Sequence, residues 1–134
     1  MVHKPNIIYT ALFVDDTAEL FRLFPPVHKN KYGHHMTIAF RPKDLEGIKI
    51  GRQSELKIIG RVVDGGADAL LVETNLSNNQ FPHITLSTAE GVKPQYSNDM
   101  LATAEREHLI EYFNEPTMIA VTEGYFNGQN EVKA

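Results

Sequence analysis

The sequence predicts an α+β domain of mainly antiparallel sheet, and three observations carry that reading. Segments rich in β-branched and aromatic residues outnumber amphipathic ones, in the order β-α-β, a hairpin, then β-α-β. Two helices are too few to carry the chain back across every strand, as a doubly wound parallel sheet would require. Asp64-Gly65-Gly66 joins two strand-like segments directly, and its glycines can supply the positive φ of a tight hairpin. With 134 residues and no composition shift to mark a linker, residues 1–134 are expected to form a single domain.

Residues 6–14 (NIIYTALFV) read as a buried first strand. Asp16-Thr17-Ala18-Glu19 has the form of a capping box, and Leu20, Phe21 and Phe24 follow at helical spacing until Pro25-Pro26 ends a short helix. Residues 35–40 (HMTIAF) form a second strand closed by Arg41-Pro42. Residues 54–64 and 67–74 are the arms of the hairpin. Residues 75–82 are a polar loop, and residues 83–87 (HITLS) a further short strand. Ser97 is the expected N-cap of a second helix whose apolar face is Met100, Leu101 and Ala104 and which ends near His108. Residues 118–126 (MIAVTEGYF) make the last strand, followed by a frayed polar tail.

Composition narrows the function. The chain has no cysteine, which removes disulfides, thiolate metal sites and thiol nucleophiles, so any chemistry falls to His, carboxylates, Lys, Tyr or hydroxyls. A formal charge of -4 disfavours a grip on long duplex nucleic acid and suits a small nucleotide, a cyclic oligonucleotide or an RNA end. Residues 27–35 are a local basic and imidazole-rich exception able to collect one phosphate. No stretch is apolar for the length of a bilayer, and the first six residues lack the apolar core of a leader, so the expectation is a cytoplasmic monomer without membrane partners.

One internal echo stands out: His35-Met36-Thr37-Ile38 against His83-Ile84-Thr85-Leu86. Side chains alternate along a strand, so each unit presents an imidazole and a hydroxyl on one face above two apolar residues facing the core. Cleaving a phosphodiester requires a proton taken from the attacking oxygen and one given to the departing oxygen, and imidazole titrates near enough to neutrality for either role. Threonine hydroxyls can donate to the non-bridging oxygens. A single His-x-Thr on a strand is most often just an exposed polar face. With six histidines in the chain, two such units would coincide by chance in roughly one chain of a few hundred.

Paired strands of this kind in a small α+β chain resemble the two-histidine (2H) phosphoesterases, and the likeness covers both motifs and the element order through most of the chain. The resemblance implies two pseudo-symmetric lobes with short flanking helices around a central cleft, with His35 and His83 facing each other across the scissile phosphate and Thr37 and Thr85 binding it. It also implies metal-independent chemistry, no cofactor, and a branch linked to RNA repair or to the degradation of cyclic oligonucleotides.

Further candidates carry two readings each. Tyr9 stacks a base or bonds the phosphate, or else is a core tyrosine with a satisfied hydroxyl. Tyr125 and Phe126 wall a base pocket, with at least one of them packing the core. Glu123 reads a base edge, or closes a rim salt bridge; relatives that degrade cyclic oligonucleotides suggest Tyr9 and Glu123 by position alone. Lys29, Lys31 and Arg41 add positive potential beside the first motif or are simply solvated. His34 falls on the strand face opposite His35, and His3, His28 and His108 are surface residues. Two rival functions remain: a non-catalytic nucleotide- or RNA-end-binding module, and a metal-dependent hydrolase using His28, His34, His35, His83 and an acid such as Asp64. The metal reading lacks helical ligand spacing.

Overall fold

The computed structural model describes residues 6–134, so His3 lies outside the described residues. Eight strands and two helices follow in the order β1 (Tyr9–Val14), α1 (Thr17–Leu23), β2 (Asn30–Lys31), β3 (His35–Phe40), β4 (Gln53–Val63), β5 (Ala67–Glu73), β6 (His83–Thr88), α2 (Tyr96–Arg106), β7 (Glu111–Phe126) and β8 (Glu131–Val132). Six strands run β1-β3-β6-β5-β4-β7, and β7 returns to pair with β1, so the antiparallel sheet closes into a barrel. Every strand of the ring sends two apolar side chains inward: Leu12 and Val14, Met36 and Ile38, Leu56 and Ile58, Leu70 and Val72, Ile84 and Leu86, Ile119 and Val121. Each contributes about 1.5–3 kcal/mol when fully buried.

The barrel's two ends are closed by different means. Leu20 of α1 is fully buried in the same interior cluster, and half of the expected capping box forms: the Asp16 carboxylate accepts from the Glu19 N–H at 3.0 Å, while the Glu19 carboxylate bonds Arg22 and not the Asp16 N–H. Ile48, from the loop after β3, packs against the cluster as well. The Glu123 carboxylate fixes that loop by accepting from the Lys49 N–H at 2.7 Å and from Arg52 Nη2 at 2.7 Å. Outside the barrel, α2 lays Met100, Leu101 and Ala104 against Ala67, Ala69 and Leu71 of β5, so β5 is covered on both faces.

Four sequence expectations change here. The β4–β5 hairpin forms as read, yet neither Gly65 nor Gly66 has a positive φ. The turn is instead tied by the Asp64 side chain, which accepts from the N–H groups of Gly66 and Ala67 at 2.8 and 2.9 Å. Gly66 is required because a Cβ there would meet the Tyr96 ring at 2.7 Å. Ser97 does not cap α2; Gln95 holds the cap position without a side-chain bond, and Ser97 lies inside the first turn. The last strand begins at Glu111, seven residues earlier than its hydrophobic run, because β4 pairs again with Glu111 and Tyr112 beyond an irregularity that leaves residues 113–116 without a β4 partner. The polar tail is ordered: β8 pairs with Tyr125 and Phe126, and the bare Cα of Gly124 admits the Val132 carbonyl where a Cβ would sit 2.0 Å from it.

Candidate active site

The two motif strands are neighbours. β3 and β6 pair antiparallel with Met36 opposite Ile84, and both side chains point into the barrel. The pleat therefore turns His35, Thr37, His83 and Thr85 outward together, with His35 beside Thr85 and Thr37 beside His83. The two histidines become diagonal cross-strand neighbours, a relation that puts backbones roughly 7–8 Å apart. All four line one groove of about 430 Å³, within the ordinary range for a small-ligand site. Its far bank is the start of α2, with Gln95 and Asn98, and Asn79 enters from the loop before β6.

Each motif ends in a bulge. Opposite β1, Thr10 pairs with Ala39 and Ala11 with Thr37, leaving Ile38 unpaired; opposite β5, Asp68 pairs with Ser87 and Ala69 with Thr85, leaving Leu86 unpaired. In β3 the extra residue turns both Ile38 and Ala39 toward the core and swings Phe40 onto the groove face, directly across from Tyr9. Strict alternation would have buried Phe40 with Met36 and Ile38. It is instead 65% exposed and lines the groove.

The histidines differ in what holds them. His83 Nδ1 lies 2.7 Å from the Phe81 carbonyl, which can only accept, so Nδ1 carries a proton and the neutral ring directs the Nε2 lone pair outward. Burial lowers its pKa, against that hydrogen bond. The His35 ring stacks on Tyr9 at 4.5 Å between centroids, with the Tyr9 hydroxyl 3.5 Å from Nδ1. Burial, with smaller contributions from His34 and His83, lowers His35 to about 4. Burial and then the charge of Glu131 push Tyr9 up to about 12, so its hydroxyl stays protonated. Both groove imidazoles are therefore neutral at pH 7. The Thr85 hydroxyl is 2.9 Å from that of Ser97, itself fully buried in the first turn of α2.

Residues 55–126 match the family model of the fungal tRNA ligase phosphodiesterase domain, more than half of the chain. The chain belongs to this family. It is thus a phosphodiesterase-domain protein of the two-histidine phosphoesterases, as the paired motifs imply. The matched span contains His83 and Thr85 and begins after His35 and Thr37, so the fold is what joins the first motif to the second. A comparison with curated proteins found no match.

The remaining candidates of this phosphodiesterase separate by strand face. Tyr9 lines the groove; its other neighbour is Phe126, 5.3 Å away and stacked, so of the two last-strand aromatics it is Phe126 that adjoins the site. Tyr125 and Glu123 do not line it. Glu123 is 1% exposed and forms the ion pair with Arg52 at the barrel end, so the salt-bridge reading describes its contacts. His34 precedes β3 and lines the groove, edge-on to Tyr32 at 6.3 Å, because an irregular residue is free of the strand's alternation. His28 Nε2 donates to the Asp64 carbonyl at 2.7 Å and so braces the hairpin, while Lys29 pairs with Glu90 at 3.7 Å. Sequence reasoning missed Phe40, Asn79, Gln95 and Asn98, which come from a bulge, a loop and a helix start that periodicity cannot place.

Proposed function

We propose that this protein opens the 2′,3′-cyclic phosphate at an RNA end without a metal, using its two histidines as base and acid. One observation carries the reading: both imidazole–hydroxyl units stand on one groove wall, arranged crosswise by the Met36–Ile84 register. His83 acts as base, since its Nε2 lone pair is free while Phe81 holds Nδ1. It takes a proton from water as the oxygen attacks phosphorus. The bond to the 2′ or 3′ oxygen breaks, and that oxygen takes the proton carried by His35 Nε2, leaving a phosphomonoester. Burial keeps His35 neutral, and an anionic phosphate beside it favours its imidazolium. Thr37 and Thr85 donate to the non-bridging oxygens. Phe40 and Tyr9, opposite one another on neighbouring strands, wall the base. No base contact is proposed for Glu123 or Tyr125.

The two pseudo-symmetric lobes belong to this proposal and are supported by the strand order. β3 matches β6, β1 matches β5, and β7 matches β4 about an axis between the motif strands, with a bulge at the fourth residue of each motif. Metal independence is supported by the donor set, since among the described residues no three His, Asp or Glu side chains are grouped to hold an ion.

The test is a panel of cyclic-phosphate RNA ends and cyclic di- and trinucleotides, assayed for product and for binding in excess chelator. We expect RNA-end hydrolysis to survive the chelator and to fall by about three orders of magnitude or more in His35→Ala and in His83→Ala. Turnover only of cyclic oligonucleotides would replace the substrate. Binding without product would make the protein a nucleotide-binding module of the same fold, and loss of turnover in chelator would return the metal-dependent reading.

A further inference from the structure

Arg41 is the residue that the proposed chemistry leaves unused and that the fold treats as special. Its φ of +48° is in the left-handed region, shared among the described non-glycine residues only by His108. An arginine there is disfavoured by about 1–2 kcal/mol, and strain of this kind is retained where surrounding contacts enforce it. The enforcing contact is visible, for the Arg41 N–H donates to the Ile8 carbonyl at 2.8 Å. The left-handed turn brings the guanidinium back over the Phe40 ring, 5.4 Å from its centroid; Phe40 lines the groove, and Arg41 stands just outside that lining. Arg22, Arg52 and Arg61 each close on a carboxylate, whereas Arg41 and Arg106 make no salt bridge among the described residues, and Arg106 lies at the end of α2, bonded to the Thr103 hydroxyl. No Asp or Glu lines the groove.

We propose that Arg41 forms a second phosphate subsite, for the phosphate on the 5′ side of the terminal nucleoside, so that the groove selects an RNA strand over a single nucleotide. Thr37, at the scissile phosphate, and Phe40, at the base, are three residues apart on a strand that rises about 3.3 Å per residue. The bulge at Ile38 shortens this further. That interval is the reach of one nucleoside. A nucleoside with its cyclic phosphate between the histidines and its base against Phe40 sends its 5′ oxygen toward the rim, where the guanidinium stands. The planar fork of arginine suits a phosphate, giving two parallel N–H donors and a charge that stays on at every relevant pH. A nucleoside 2′,3′-cyclic monophosphate has nothing at that position. This subsite rests on the histidines acting on a phosphodiester, and its test is arranged so that the two ideas fail separately.

The experiment compares a nucleoside 2′,3′-cyclic monophosphate with a trinucleotide ending in the same cyclic nucleotide, for the unaltered protein, Arg41→Asn and Arg41→Lys. Asparagine is chosen because it tolerates a positive φ, and thermal melts verify that both variants fold. The unaltered protein should favour the trinucleotide in kcat/KM by about tenfold, the worth of one exposed charge-assisted contact. Arg41→Asn should erase that preference while changing mononucleotide turnover less than about twofold, and Arg41→Lys should keep part of it as a point charge. The slope of log kcat/KM against log salt for the trinucleotide should become shallower by about 0.7 in Arg41→Asn, the loss of one single-strand phosphate contact. Equal losses on both substrates, or a preference that survives Arg41→Asn, would overturn the subsite. Should the unaltered protein hydrolyse neither substrate, the catalytic reading falls, and Arg41 is then judged by binding of the 3′-phosphorylated trinucleotide. Equal affinity of the unaltered protein and Arg41→Asn would end it.

Discussion

Acidification should destabilise this protein through the two buried histidines of its groove, and His35 provides the measurable part. Its imidazole is stacked under Tyr9 and buried, which lowers its pKa from 6.5 to about 4. The unfolded chain therefore binds a proton below about pH 6.5 that the folded chain refuses until about pH 4, and stability falls as pH falls through that window. Each unit is about 1.4 kcal/mol, so this one residue removes about 2 kcal/mol between pH 6.5 and pH 5 and about 3 kcal/mol by pH 4. His83 is lowered too and adds in the same direction. The assay is urea denaturation at half-unit steps from pH 7.5 to 4.5, for the unaltered protein and His35→Gln. The variant should lose most of the first residue's share of the slope and keep that of His83. Superimposable pH dependence in the two proteins would show that His35 is not neutralised by its surroundings. The same depressed values place the optimum of kcat/KM below pH 6.5, because the active free form holds one proton on the pair. The kcat optimum should sit higher, since bound phosphate raises both histidines.

Two further substitutions test the frame around the site. Ser97→Ala removes the hydroxyl that bonds Thr85 and should lower kcat about fivefold with KM little changed, roughly the worth of one neutral hydrogen bond. In a Thr85→Ala background it should have no added effect on kcat, and an equal loss in both backgrounds would show that Ser97 does not act through Thr85. Arg52→Ala strips the partner from the buried Glu123 carboxylate; with Arg52 41% exposed, the cost should be about 2–3 kcal/mol by urea denaturation, below the usual value for a fully buried pair. Turnover of a cyclic mononucleotide should be unchanged at 25 °C. A change in stability under about 0.5 kcal/mol would mean that water replaces the guanidinium.

The motif residues were legible before any coordinates because strand alternation is a local rule. A His and a Thr two residues apart, separated and followed by apolar side chains, leave one arrangement that buries the apolar pair, and Met36, Ile38, Ile84 and Leu86 are the buried set. The Asp16 cap of α1 and the apolar face of α2 are readable for the same reason, since each rests on contacts within a few residues, although Glu19 bonds Arg22 and does not complete the capping box. The β4–β5 hairpin was readable in place, while its turn chemistry was not, because an Asp side chain can do what a glycine φ was expected to do.

What tertiary structure alone decided are the relations between distant segments. Closure of the ring needs β1 to pair with β7, more than a hundred residues away, and no local pattern encodes that contact. The adjacency of β3 and β6, which makes two separate motifs into one groove, is likewise a product of the sheet order. Phe40 reaches the site only because Ile38 is left unpaired against β1, and Ser97, one residue inside a helix that starts at Tyr96, bonds Thr85 instead of capping. Periodicity reports which way a side chain points relative to its own backbone; bulges, closure and the meeting of strands depend on which backbone lies next to it, and hydrophobic burial accepts many such pairings until the whole chain is packed.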